Sequence, residues 1–301
     1  MLLVLYLTFF SAPISFPEGR VLSIEQGLSV REVGALLEEE KIIRSPSVFK
    51  VLVRLMGGRN IAGKYSFQQR ENIFSVAWRI AEGDFNIKPV RVQVLEGATV
   101  RDIATLLSEK VPGFNDDAFY RLAKPKEGYL FPDTYFIYPG STPENILHML
   151  ENGFKDITEH PLVEVAIQGS GHSLSEIVIM ASILEKEVPA TYDRRLIAGI
   201  LWKRIELGMP LQVDAVFPYI IGKNSYELTR DDLTIDSPYN TYVYKGLPVG
   251  PIANPSLDAI LAAATPIKSD YLFYLSDREG ELHYSVTYEQ HLAAKRKYID
   301  S

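Results

Sequence analysis

The 301-residue chain contains no cysteine. That absence removes thiol nucleophiles, disulfide frameworks, thiolate metal sites and a lipid-modified N-terminal cysteine, and it suits an exported protein. Histidine is scarce too: His148, His160, His172, His283 and His291 are the five present, and no two stand one turn apart on a helix face. A histidine metal site is therefore not indicated. Basic residues are outnumbered, 31 against 38 acidic, for a formal net charge of −7, so nothing electrostatic favours nucleic acid as a partner. The chain has neither a Gly-x-Ser-x-Gly elbow nor a glycine-rich phosphate loop ending in lysine. A serine hydrolase and a nucleotide cofactor both lose their support, and no cofactor is expected.

Long apolar runs are also missing, with one exception. Met1 to Pro17 carries no charge before Glu18. As a helix it would reach about 25 Å, just short of a bilayer's hydrocarbon core. It lacks a basic leader region and an evident cleavage pattern. The reading is a membrane anchor over residues 1–17, truncated at its start, with a cleaved signal or a buried first strand as the alternatives.

What is present is a chain 47% hydrophobic and 23% charged, enough to bury a core and long enough for two domains. Val21 to Glu39 runs as strand, turn at Gly27 and amphipathic helix, and Arg91 to Glu109 repeats it: Gly27 matches Gly97, Val30 matches Val100, Arg31 matches Arg101, and Leu36 and Leu37 match Leu106 and Leu107. This is an internal duplication, too short for a solenoid. With Lys88-Pro89 as boundary, the expectation is an α+β protein with a small module at 20–88 and a larger mixed α/β domain at 89–301. Later elements include an aromatic stretch, Glu127 to Tyr138, broken by Pro132, helices at Thr142 to Phe154 and Asp193 to Leu207, and a hairpin from Asp270 to Val286.

The stretch Ser173 to Pro189, SLSEIVIMASILEKEVP, is the centre of the larger domain. Ser173 and Glu176 form a capping box, Pro189 stops the helix, and apolar residues occupy nearly every direction. Taking Ala181 as zero on the helical wheel, Glu185 projects at roughly 40°, within the main apolar stripe, and Glu187 at roughly 240°, outside it. A buried carboxylate pairs with a cation, keeps its proton or faces a cleft. Burial alone favours the ion pair, and the catalytic alternative stays open. Downstream, Leu211 to Asp214, Asp236 to Tyr242 and the proline- and glycine-rich Lys245 to Pro255 could hold polar side chains rigidly around an extended, hydroxyl-rich ligand.

Several motifs taken in order, VLEGATVRDIA, EGYLFPDTY, ASILEKE, LQVDAVFPY, SPYNTYVYKGLPVGPIANP, YLFY and LHYS, resemble the YceG-like endolytic murein transglycosylases. The resemblance runs from about Val21 to Tyr298. It implies a single N-terminal membrane helix, a LysM-like module at 20–88, and internal cleavage of peptidoglycan glycan strands outside the cytoplasmic membrane that leaves 1,6-anhydro-N-acetylmuramic acid ends. Peptidoglycan is the implied substrate and cell-wall synthases are candidate partners. The family's catalytic glutamate maps onto Glu185, with room for a sugar beside Ala181 and Ser182. Gln212, Asp214, Ser237, Tyr239, Asn240, Thr241, Tyr242 and Asn254 become the expected substrate-binding residues, and Glu187, His283 and Ser285 the residues supporting them from behind. One departure stands out: the family usually carries LQ[ST]DPTV where this chain has Val213 and Ala215. A non-catalytic wall-binding scaffold and a hydrolytic muramidase are the rival readings.

Overall fold

A computed structural model describes residues 9–86 and 89–300. Residues 1–8 of the expected anchor, and Lys88 of the expected boundary, lie outside them. Among the described residues no helix is long and apolar enough to cross a membrane. Phe16, near the end of the expected anchor, is buried and meets Phe67 edge-on at 6.1 Å.

The chain is a mixed α/β protein that divides into two compact units. The first gathers the residues up to Val90 together with 111–114 and 136–141. It begins with β1 (Arg20–Ile24), α1 (Val30–Glu39) and α2 (Pro46–Leu55), then β2 (Gly63–Phe67) and α3 (Ile73–Glu82). β1 and β2 pair antiparallel with Leu22 opposite Tyr65. Leu22, Ile24, Leu37, Phe49, Tyr65 and Phe67 form the core. Two further strands, β3 (Val90–Gln93) and β4 (Thr134–Ile137), make a second two-stranded sheet. β4 begins two residues after Pro132, because proline supplies no amide to a ladder.

The duplication is visible in three dimensions. β1 and α1 are matched by β3 and α4 (Val100–Lys110), and Gly27 and Gly97 both take the left-handed backbone that the turn requires. Ser29 caps α1 against Glu32, and Thr99 engages Asp102 in the same exchange. Satisfying the first free amides in this way starts both helices at equivalent residues.

The second unit holds the rest. After α4 come α5 (Asp116–Ala123), α6 (Pro143–Thr158) and α7 (Pro161–Ser170), then the central α8 (Leu174–Glu187) and α9 (Thr191–Glu206). A short α10 (Phe217–Ile221) and α11 (Leu257–Ala264) follow. Last come the hairpin β5 (Phe273–Ser276) and β6 (Leu282–Ser285), paired with Phe273 opposite Ser285, and α12 (Tyr288–Tyr298). α8 begins at the expected capping box, with Ser173 and Glu176 exchanging hydrogen bonds. All residues from Ile177 to Leu184 are buried, which accounts for the apolar character on every side. α9 and α11 pack on α8 to form the core. Gly199 makes the close approach possible: a Cβ there would stand 2.0 Å from the Ile267 carbonyl oxygen.

Candidate active site

α8 delivers its two C-terminal glutamates to different surroundings, because two residues of helix turn a side chain by roughly 200°. Glu185 points into the protein. Its Oε1 accepts from Arg194 Nη2 at 2.7 Å and its Oε2 from the Ser256 amide at 2.8 Å. Arg194 also donates to the Val188 carbonyl and to Asp258 Oδ2. Glu185 and Arg194 side chains are only 5% and 7% exposed. The expectation that Glu185 opens onto a sugar-sized groove is not met. Its stripe is apolar on its own helix, but the facing helix α9 supplies the cation. Ser182, expected to leave room for a sugar, is fully buried and accepts from the Ile252 amide, so the proline-rich loop fills that space.

Glu187 faces the other way, into a cleft of about 640 Å³. Its partners come from two distant segments. Tyr274 Oη of β5 donates to Oε2 at 3.0 Å, and Asp214 lines the same cleft, tethered by Tyr242 Oη at 2.6 Å. Burial pushes the Glu187 carboxyl up to about 7; the Tyr274 hydrogen bond opposes this, the Asp214 charge adds to it, and the Ala215 amide opposes it. Such a group holds its proton near neutrality yet can release it, the property a general acid needs.

The cleft wall is set by backbone as well as side chains. Gln212, a non-glycine residue, sits at φ 52°. It is held there by its amide bonding to the Thr241 carbonyl and by Arg204 Nη2 donating to its Oε1 at 3.0 Å. Strain of this kind, of order 1–3 kcal/mol, persists where surrounding contacts determine it, and functional sites collect it.

The YceG-like family profile matches residues 22–297. The chain belongs to the YceG-like family. It is 30% identical to an endolytic murein transglycosylase of Bacillus subtilis, over 93% of this chain and 85% of that one. A Streptococcus pneumoniae protein of the same description is also 30% identical over 92% of the chain, which spans 58% of its length. A solved yceG-like protein from Listeria monocytogenes superposes with a TM-score of 0.61 at 28% identity, covering 92% of this chain and 99% of that one.

Among the residues expected from the YceG-like motifs, Glu187, Gln212, Asp214 and Tyr242 come together in the cleft. The others brace its frame. Asn240 is fully buried, donating to the Leu233 and Ile235 carbonyls and accepting from the Tyr242 amide. Thr241 Oγ1 accepts from the Val213 amide. Ser237 Oγ accepts from the Tyr239 amide, and Tyr239 packs on Tyr219 at 5.0 Å. Asn254 accepts from the Leu130 amide and donates to the Ala98 carbonyl and Glu127. Asn240, Thr241 and Asn254 are polar and buried because they satisfy backbone groups in irregular segments, whereas Ser237 and Tyr239 are half-buried.

His283 stands away from the cleft lining, 2.8 Å from Asp277 Oδ2 and stacked on Tyr298 at 3.7 Å. Ser285 is buried in β6. Asp277, Glu281 and His283 bring possible ligand atoms within 4.8 Å of one another. Asp277 Oδ1 already accepts the amides of Glu279 and Glu281, so the group closes the hairpin turn. At the departures from the family pattern, Val213 is buried and Ala215 lines the cleft.

Arg204, His291 and Lys295 line the cleft from outside the quoted motifs, and Tyr274, the last residue of YLFY, lines it without having been assigned a role. One signal for Arg204 was readable: it lies four residues after Ile200, a charge continuing the apolar face of α9, the same anomaly that drew attention to Glu185.

Proposed function

We propose that this chain is an endolytic peptidoglycan lytic transglycosylase whose acid and base is Glu187. The observation that carries the residue assignment is a partly buried carboxyl, raised to about 7, opening onto the cleft, while Glu185 is held in an ion pair. The activity follows from family membership and from the murein transglycosylase relatives.

Protonated Glu187 donates to the β-1,4 glycosidic oxygen between N-acetylmuramic acid and N-acetylglucosamine, and positive charge develops at C1. The muramic acid's own C6 hydroxyl attacks C1, the resulting Glu187 carboxylate takes its proton, and a 1,6-anhydro ring closes. One carboxyl therefore does what glycoside hydrolases divide between two. Asp214 and Gln212 line the same cleft, where a negative group near C1 would stabilise the developing charge.

A specific feature favours a second reading. Asp214 is a second carboxylate close enough to raise Glu187, and a pair of acids is what a hydrolytic muramidase uses. Mass spectrometry of the cut ends separates the two, because hydrolysis adds one water to each new reducing end. Anhydro ends that vanish in Glu187→Gln and persist in Glu185→Gln support the proposal; hydrated ends, or activity surviving Glu187→Gln, overturn it.

Location and modular roles extend the proposal. The uncharged run Met1 to Pro17 supports attachment to the outer face of the cytoplasmic membrane, where peptidoglycan and its synthases are met. The strand, turn and helix unit at Val21 to Glu39 supports a LysM-like, glycan-holding role for the module at residues 20–88.

A further inference from the structure

The cleft is not uniformly acidic. Away from Glu187, its lining from α9, β5 and α12 carries Arg204, His291 and Lys295. Arg204 and His291 both lie against one ring: the Arg204 guanidinium carbon is 5.5 Å from the centre of Phe273, and His291 stacks on Phe273 at 5.4 Å. Arg204 is 5% exposed. Among the described residues no carboxylate lies within ion-pair distance of it, and Gln212 is the acceptor for its Nη2. Its Nε is buried with no partner, and so is Nδ1 of His291.

The other two buried arginines among the described residues are treated differently. Arg79 pairs with Glu71, and Arg194 with Glu185 and Asp258. A buried cation without a counter-charge costs several kcal/mol. Here the missing charge adjoins an open cleft, where a ligand can bring it.

We propose that Arg204, with Lys295 at its mouth and His291 beside it, is a subsite for a carboxylate carried by the muramoyl residue of the substrate. The proposal rests on the peptidoglycan reading above and adds what the cleft selects within that class. Two carboxylates could serve: that of the lactyl ether on a peptide-free strand, or one from the stem peptide on a substituted strand. Both offer the paired oxygens that a guanidinium fork binds best.

The test measures binding rather than cutting, in the Glu187→Gln background. The ligands are peptide-bearing muramoyl disaccharides, peptide-free ones with a free lactyl carboxylate, and both forms with carboxylates converted to amides. Isothermal calorimetry is expected to show binding about tenfold tighter or more for one acid form over its amide, as a charge-assisted hydrogen bond supplies. Whichever form shows the preference identifies the source. Arg204→Gln should erase the preference and Arg204→Lys keep part of it. Lys295→Gln, at an exposed position that does not disturb the core, should reduce it several-fold, so the test stands even if Arg204→Gln fails to fold.

Equal binding of acid and amide forms to the parent protein overturns the subsite, as does an equal loss for both forms in Lys295→Gln and in folded Arg204→Gln. A carboxylate preference with no cleavage by wild type sinks the transglycosylase reading and leaves the subsite standing. Cleavage without the preference does the reverse.

Discussion

Arg194 holds Glu185 at 2.7 Å and, through Nε, holds the Val188 carbonyl at 2.8 Å. One guanidinium thus fixes the residues on either side of Glu187 in sequence. The buried ion pair acts as the mount for the end of α8, setting where the neighbouring carboxyl can point. Removing Arg194 leaves the buried Glu185 without a cation, with the Ser256 amide as its remaining partner.

Arg194→Met is therefore expected to cost about 3–5 kcal/mol, measured by denaturant unfolding, whereas Arg194→Met with Glu185→Leu should recover much of it. A single substitution costing under about 1 kcal/mol would show that the pair is not structural.

Glycan cleavage should fall as pH rises through about 7, where Glu187 loses its proton. Stability follows the same group. Its folded value lies above the usual 4.5, so the folded state binds its proton more tightly than the unfolded chain does. That contribution is complete below about 4.5 and is lost as pH rises through about 7. Glu187→Gln should accordingly lose activity while gaining stability relative to wild type above neutrality, and unfolding curves at pH 5 and pH 8 check the sign.

Two donors oppose the rise of Glu187: Tyr274 Oη and the Ala215 amide. Tyr274→Phe removes the first and Ala215→Pro the second, since proline has no amide hydrogen. Each should move the alkaline limb of the pH–rate profile upward by up to about one unit, the equivalent of one hydrogen bond of about 1 kcal/mol. A downward shift would refute the assignment.

Gly199→Ala places a methyl against the Ile267 carbonyl, 2.0 Å away, and Ile267 is itself tied to the Arg195 carbonyl. Relief requires backbone movement, so a loss of about 1–3 kcal/mol in thermal or chemical unfolding is expected, against the usual gain for Gly→Ala within a helix.

Much of this molecule is local and could be read along the chain. Capping at Ser29 and Ser173, the duplication anchored on Gly27 and Gly97, the hairpin after Asp270 and the burial of α8 each depend on residues within a turn or two. The wheel of α8 separated Glu185 from Glu187 because helical geometry is local. What each carboxyl meets at the end of that direction is not local: the Ser256 amide and Arg194 for one, Tyr274 and the Ala215 amide for the other. The same holds for Asn240, Thr241 and Asn254, polar residues in a rigid loop whose atoms are consumed by backbone groups. From sequence alone, a hydrophobic stripe marks where a charge is costly. Only the packed structure decides that the cost at Glu185 is met by a cation, and that Glu187, outside the stripe, keeps its proton beside a cleft, because the partners are brought in by segments far along the chain.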